Sequence, residues 1–142
     1  MAVIADTGAL IALANAEDRY HKTVKQFFAT NRDPVIIPCP VVPETCFILR
    51  TSMSVAAELE FLRSIRGHLM LEHYTVADAA RVIEINDKYG DAEFGFVDAT
   101  VMAMAERLNI QTVLTVDHRD FSMFRPKHCA AFRLIPERLR RR

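Results

Sequence analysis

The chain has 142 residues, 51% of them hydrophobic, enough for one continuous core and too few for a second independent one, so a single domain spanning 1–142 is expected. Lys plus Arg and Asp plus Glu each number 18, so overall charge singles out no class of partner, but from Arg119 onward eight basic residues stand against two acidic ones, leaving ten basic against sixteen acidic in the first 118. Three cysteines, Cys39, Cys46 and Cys129, are too few and too scattered for a disulfide framework, and without a Cys-x-x-Cys pair they offer no thiolate zinc site; a reducing cytoplasm is the simplest compartment.

Ala2 to Ala5 reads as a buried strand, and Thr7 to Ala14 as a helix entered directly from it. No signal peptide is expected, because Asp6 interrupts the apolar start and Glu17-Asp18-Arg19 follows. A second helix, His21 to Ala29, places Val24, Phe27 and Phe28 at helical spacing. Val35 to Ile37 is a short strand bounded by Pro34 and Pro38, and the apolar stretch to Val42 is far shorter than the roughly 20 residues a membrane-spanning helix needs. Pro43 can stand in the first turn of a helix running to about Arg50. Ser54 reads as an N-cap for Val55 to Ile65, with Gly67 as the stop signal. Leu69 to Leu71 reads as a strand, and Thr75 as the cap of a helix from Val76 to about Tyr89, ended by Gly90. Phe96 to Leu108 is apolar on nearly every side, hence a buried helix; the strand Thr112 to Val116 follows, then a loop, and Ala130 to Leu134 as a final edge strand. Strands alternating with helices imply an α/β fold whose mostly parallel central sheet is flanked by helices on both faces.

Within that pattern four carboxylates stand at the edges of apolar runs. Asp6 closes the first strand and Asp117 closes the strand ending at Val116, both at carboxyl ends, where open α/β sheets place their ligands. Glu44 lies between Val41-Val42 and Phe47-Ile48-Leu49, and Asp98 opens the most apolar helix. Taken singly, each has an ordinary account as a helix cap or a first-turn acid. Taken together they suggest one pocket, in which mutual repulsion obliges the acids to hold protons or bind cations. Hard divalent ions, Mg²⁺ or Mn²⁺, suit such oxygen donors and keep several bound waters.

Asp6-Thr7-Gly8-Ala9-Leu10-Ile11-Ala12-Leu13, Glu44 in an apolar helix, Phe96-Val97-Asp98-Ala99, and Leu114-Thr115-Val116-Asp117-His118-Arg119-Asp120-Phe121 resemble, in order and spacing, the motifs of PIN-domain ribonucleases. The small size and the run from Asp120-Phe121 to Arg125-Pro126 most resemble the VapC toxins of toxin–antitoxin pairs. The resemblance implies a PIN-like doubly wound fold, Mg²⁺- or Mn²⁺-dependent internal cleavage of RNA, a VapB-type antitoxin partner and a homodimer. By position, Asp6, Glu44, Asp98 and Asp117 match the family's acidic quartet, with Asp6, Asp98 and Asp117 as direct metal ligands and Glu44 orienting the attacking water or holding a second metal. Asp120 is a further candidate ligand, because members differ in which acid of the last motif reaches the metal. Gly8 departs from the many relatives that carry Ser or Thr there, and Thr7 or Thr115 is left to supply that hydroxyl.

Arg119, Arg125 and Lys127, in the loop after Asp117, are the candidate RNA contacts, against their reading as solvated loop residues. Arg138 and Arg140 to Arg142 either clamp an RNA backbone or solubilise the chain's end. Of five histidines only His118 abuts the acidic motif. Phe27, Phe28 and Phe61 fit either core or a groove for an antitoxin helix. Two rival functions remain: a non-catalytic or regulatory PIN module that binds RNA or protein, and a phosphatase of the haloacid-dehalogenase type with Asp6 as nucleophile, which would want a second acid where Gly8 stands.

Overall fold

The computed structural model describes residues 1–68 and 70–140. Its centre is a strand too short and too apolar to sit anywhere but inside: β1 (Val3–Ala5) is buried at every residue, so both of its faces are covered. β1 pairs in parallel with β2 (Val35–Pro38) on one side and β4 (Thr112–Leu114) on the other. β3 (Met70–Glu72) and β5 (Arg133–Ile135) close the two edges, giving the all-parallel order β3-β2-β1-β4-β5. Chain order reverses direction between β1 and β4. In such a sheet that crevice, outside the carboxyl ends of the strands, is where a ligand binds.

Parallel pairing requires crossovers, and helices supply them. α1 (Thr7–Ala14) and α2 (His21–Thr30) lead from β1 to β2; α3 (Val41–Ser52) and α4 (Val55–His68) lead on to β3. α5 (Val76–Lys88) and α6 (Phe96–Arg107) carry the chain back across the sheet to β4, and α7 (His118–Met123) precedes β5. Ala99 to Ala105 of α6 are all buried, as an all-round apolar helix requires, and Met102 and Met104 are fully enclosed. Phe61 is core, while Phe27 and Phe28 lie half-buried against it.

Most element boundaries agree with the sequence reading within a residue or two, and the differences have local causes. α3 begins at Val41, because Pro43 occupies a first-turn position whose missing N–H has no helical acceptor to lose. Ser54 Oγ does cap the next helix, accepting from Ala57 N at 3.0 Å, but Gly67 does not end it: α4 runs to His68, and Gly67 takes no left-handed backbone. The expected strand from Leu69 begins at Met70, Leu69 itself lying outside the described residues, as do Arg141 and Arg142. Thr75 forms a full capping box with Asp78. The fourth strand ends at Leu114 rather than Val116, and the last strand is Arg133–Ile135 rather than Ala130–Leu134, its register set by Arg133 against Thr112.

The segment after Asp117, expected as a loop, is the helix α7. Asp117 Oδ1 accepts from Asp120 N at 3.0 Å to cap it, and buried Phe121 and Phe124 fasten it into an aromatic cluster with Tyr89, Phe94 and Phe132. That cluster holds the last acidic motif at the sheet's crevice.

Candidate active site

Each of the acids is delivered by a backbone transition. Asp6 is the residue at which β1 turns into α1; as N-cap its Oδ1 accepts from Thr7 N at 2.7 Å, and its Oδ2 accepts from the Thr115 hydroxyl at 3.1 Å. Thr115 is the residue at which the chain leaves β4, and it is wholly buried. Its Oγ1 also accepts from Asp117 N at 2.9 Å, so one hydroxyl ties the ends of β1 and β4 together. On the other flank Thr7 Oγ1 donates to Glu44 Oε2 at 2.6 Å, joining the first turn of α3 to that of α1. Both threonines named as candidate hydroxyls therefore serve the acids, one orienting Asp6 and the other Glu44.

Gly8 explains why neither hydroxyl sits there. A Cβ at position 8 would meet Val116 Cγ2 at 2.8 Å, closer than side chains pack, so α1 passes against Val116 only because it has no side chain at that point. The same contact leaves no room for the second acid that an aspartyl-phosphatase reading wants. Asp6 is also only 3% exposed with both carboxylate oxygens already accepting hydrogen bonds, which is a poor state for a nucleophile.

Asp98, in the first turn of α6, comes together with Asp117 and Asp120: one oxygen from each lies within 4.8 Å of the others. Burial first, and then the charges of Asp6 and Asp117, push Asp98 up to about 8. Burial likewise raises Asp6 to about 6, against the opposing bonds from Thr7 N–H and the Thr115 hydroxyl. Asp120 is raised by burial and by Asp117, with Arg119 pulling the other way. The fold thus concentrates more negative charge than its own cations neutralise. The donors are all carboxylate oxygens, the set that suits a hard divalent ion.

The basic candidates separate. Arg119 stays at the site, its Nη1 donating to Asp120 Oδ1 at 2.8 Å. Arg125 bends back to the end of α7, Nη1 donating to the Ser122 carbonyl at 2.7 Å. Lys127 is turned toward α5 and α6, with Nζ 3.7 Å from Glu84 and its backbone N–H on Glu106. His118 is committed elsewhere, its Nε2 donating to the Pro136 carbonyl at 2.7 Å. The sequence reading passed over Arg19 and Tyr20, which flank Asp117 and His118 in the folded chain; only the fold brings the start of α2 to that place.

Residues 3–125 match the PIN domain family. The chain is 33% identical to Ribonuclease VapC26 of Mycobacterium tuberculosis over 135 residues, covering 94% of this chain and all of that one. It is 30% identical over 124 residues to the 23S rRNA-specific endonuclease VapC20 of the same organism, covering 84% of this chain and 92% of that one. The crystal structure of VapC20, a Sarcin-Ricin loop cleaving toxin, superposes with a TM-score of 0.77 at 25% identity, covering 82% of this chain and 91% of that one. VapBC2 of Rickettsia felis, bound to a promoter DNA fragment, shares the fold at a TM-score of 0.70 and 15% identity over 94% of this chain and 97% of that one. The crevice between β1 and β4, its converging carboxylates and the match across residues 3–125 lead to one assignment: the chain belongs to the PIN-domain family, in its VapC branch.

Proposed function

We propose that the chain acts as a single PIN domain that hydrolyses RNA phosphodiester bonds internally, as the toxin of a VapBC-type pair in the cytoplasm. The observation that carries this reading is the convergence of Asp98, Asp117 and Asp120 within 4.8 Å, with Asp6 tied to them through Thr115. Asp6, Asp98 and Asp117 would hold Mg²⁺ or Mn²⁺, with Asp120 as a fourth ligand, and Glu44, held by Thr7, would orient water. When bound, such an ion supplies Lewis acidity toward the phosphoryl oxygens and toward water. The residues do the rest: Thr115 fixes the rotamer of Asp6, the α7 cap fixes Asp117, and the Thr7 hydroxyl fixes Glu44. A relative named as an endonuclease of 23S rRNA makes structured RNA the substrate class to try first. A cognate antitoxin and a two-fold dimer complete the proposal, two-fold symmetry being the commonest form of self-association. No described helix is long and apolar enough to cross a membrane.

The test is incubation of purified protein with total cellular RNA and Mg²⁺ or Mn²⁺, followed by mapping of the new ends. Discrete cuts that vanish with chelator, and in Glu44→Gln or Asp117→Asn protein, are expected. Cuts that persist in the Glu44→Gln, Asp117→Asn double variant would come from a contaminant and leave the binding-module reading in place.

A further inference from the structure

A cleft of about 260 Å³ is lined by Arg19, Arg119 and Arg138, by Tyr20 and His118, and by Asp117 itself. Its three arginines come from the turn before α2, from α7 and from the chain's carboxyl-terminal segment. Arg119 is paired with Asp120; Arg19 and Arg138 make no ion pair among the described residues. Three cationic side chains against the single carboxylate of Asp117 leave the lining of the cleft net positive, which favours an anion there.

The arrangement is held in place. The carboxyl-terminal segment is fastened at two points on either side of Arg138: the Pro136 carbonyl accepts from His118 Nε2 at 2.7 Å, and Leu139 N donates to the Tyr20 hydroxyl at 3.1 Å. Leu139 also packs on the small apolar cluster of Ala12, Tyr20 and Val24. Arg19 lies over the Tyr20 ring, its guanidinium carbon 5.4 Å from the ring centre, which steadies it while leaving its N–H groups free. Arg138 is therefore set beside the acids by its backbone anchors, and is not part of a loose basic tail.

We propose that this cleft binds a backbone phosphate of the RNA strand next to the one that is cut, with Arg19 and Arg138 as its principal donors and Arg119 shared with Asp120. The proposal rests on the ribonuclease reading and refines it by moving the phosphate contacts from Arg125 and Lys127 to Arg19 and Arg138. A strand running from the carboxylates into the cleft meets a cation-seeking site and then a phosphate-seeking one. Adjacent phosphates are thereby told apart, one toward metal and one toward guanidinium.

The experiment measures binding of a short fluorescein-labelled RNA hairpin with a single-stranded loop by anisotropy across a salt series. Ca²⁺ is present to neutralise the carboxylates, and thermal melting confirms folding of each variant. Arg19→Ala and Arg138→Ala should each weaken binding by about fivefold to tenfold and lower the slope of log affinity against log salt by about 0.7. Arg19→Lys should keep the slope. Tyr20→Phe, which removes only the hydroxyl anchoring Leu139, should shift affinity the same way as Arg138→Ala. Arg63→Ala, an exposed arginine on α4, should match the parent. Parent-like affinity and slope in both Arg19→Ala and Arg138→Ala would overturn the cleft while leaving the ribonuclease reading intact. Failure of the parent itself to bind RNA would overturn both.

Discussion

Thr115 is the residue on which the geometry of the acids turns. Wholly buried, it donates to Asp6 and accepts from the Asp117 N–H, so Thr115→Val keeps the volume and removes both bonds. The expected result is a loss of about tenfold or more in metal affinity or cleavage rate, the scale of a lost orienting contact behind a metal ligand. Because the Thr115 bond lowers Asp6, the variant should also move the acidic limb of the pH–rate profile upward. Thr115→Ser should restore both. A Val variant with parent metal affinity and profile would show that Asp6 is held by its helix cap alone. At this scale the sequence made Asp98 and Asp117 legible as neighbours, because each interrupts an apolar run and the fold brings the two together. The two threonines were legible as candidates, but which acid each one holds is set by the fold, Thr7 reaching Glu44 and Thr115 reaching Asp6. The reason for Gly8 lies in Val116, more than a hundred positions away.

At the scale of elements, α5 and α6 are bound by charge as well as by packing. Arg107 donates from Nε and Nη2 to Asp78, from Nη1 to Glu72 and from Nη2 to the His73 carbonyl, while Arg81 bonds Glu106 through Nε and Nη2. Asp78 is 1% exposed, and burial alone would raise it; the Arg107 pair and the Thr75 bonds more than offset that and hold it below its ordinary value. Arg107→Ala strands that carboxylate and should cost about 2–3 kcal/mol in urea unfolding. The stabilisation is complete above the ordinary 3.8 and is lost as pH falls through the lower value that Asp78 has in the folded chain, so parent and variant should converge only well below pH 3.8. Equal stability at neutral pH would show the pair to be ornamental. Among elements, the helices with clear periodicity and caps were readable. α7 was not, since His118–Met123 is too short to show a period and owes its existence to the Asp117 cap and to Phe121 and Phe124 finding Phe132. The edge strand slid from Ala130–Leu134 to Arg133–Ile135 because its register is set by β4 and not by its own residues.

For the whole molecule, the crowded carboxylates make stability depend on pH and on metal. Asp98 at about 8 and Asp6 at about 6 both stand above the ordinary 3.8, so the folded chain holds protons the unfolded chain has released. Their contribution is therefore complete below about pH 4 and is lost as pH rises through about 6 and then about 8. The metal-free protein should melt at progressively lower temperature from pH 5 to pH 8, by about 3 °C for each kcal/mol lost. Asp98→Asn should flatten that fall, and Mn²⁺ should abolish it by binding the folded state alone. A midpoint that stayed level over this range in the metal-free parent would mean that the acids do not repel one another as their positions require.

Calorimetric titration of Mn²⁺ into the parent and into Asp98→Asn, both shown to be folded by circular dichroism, tests most directly whether these carboxylates form a cation site. The parent should bind with protons released on saturation, since Asp98 must give up its own. Asp98→Asn should bind about tenfold or more weakly and release fewer protons. Equal affinity and equal proton release in the two proteins would contradict a metal site built on Asp98, and with it the account of how this fold cuts RNA.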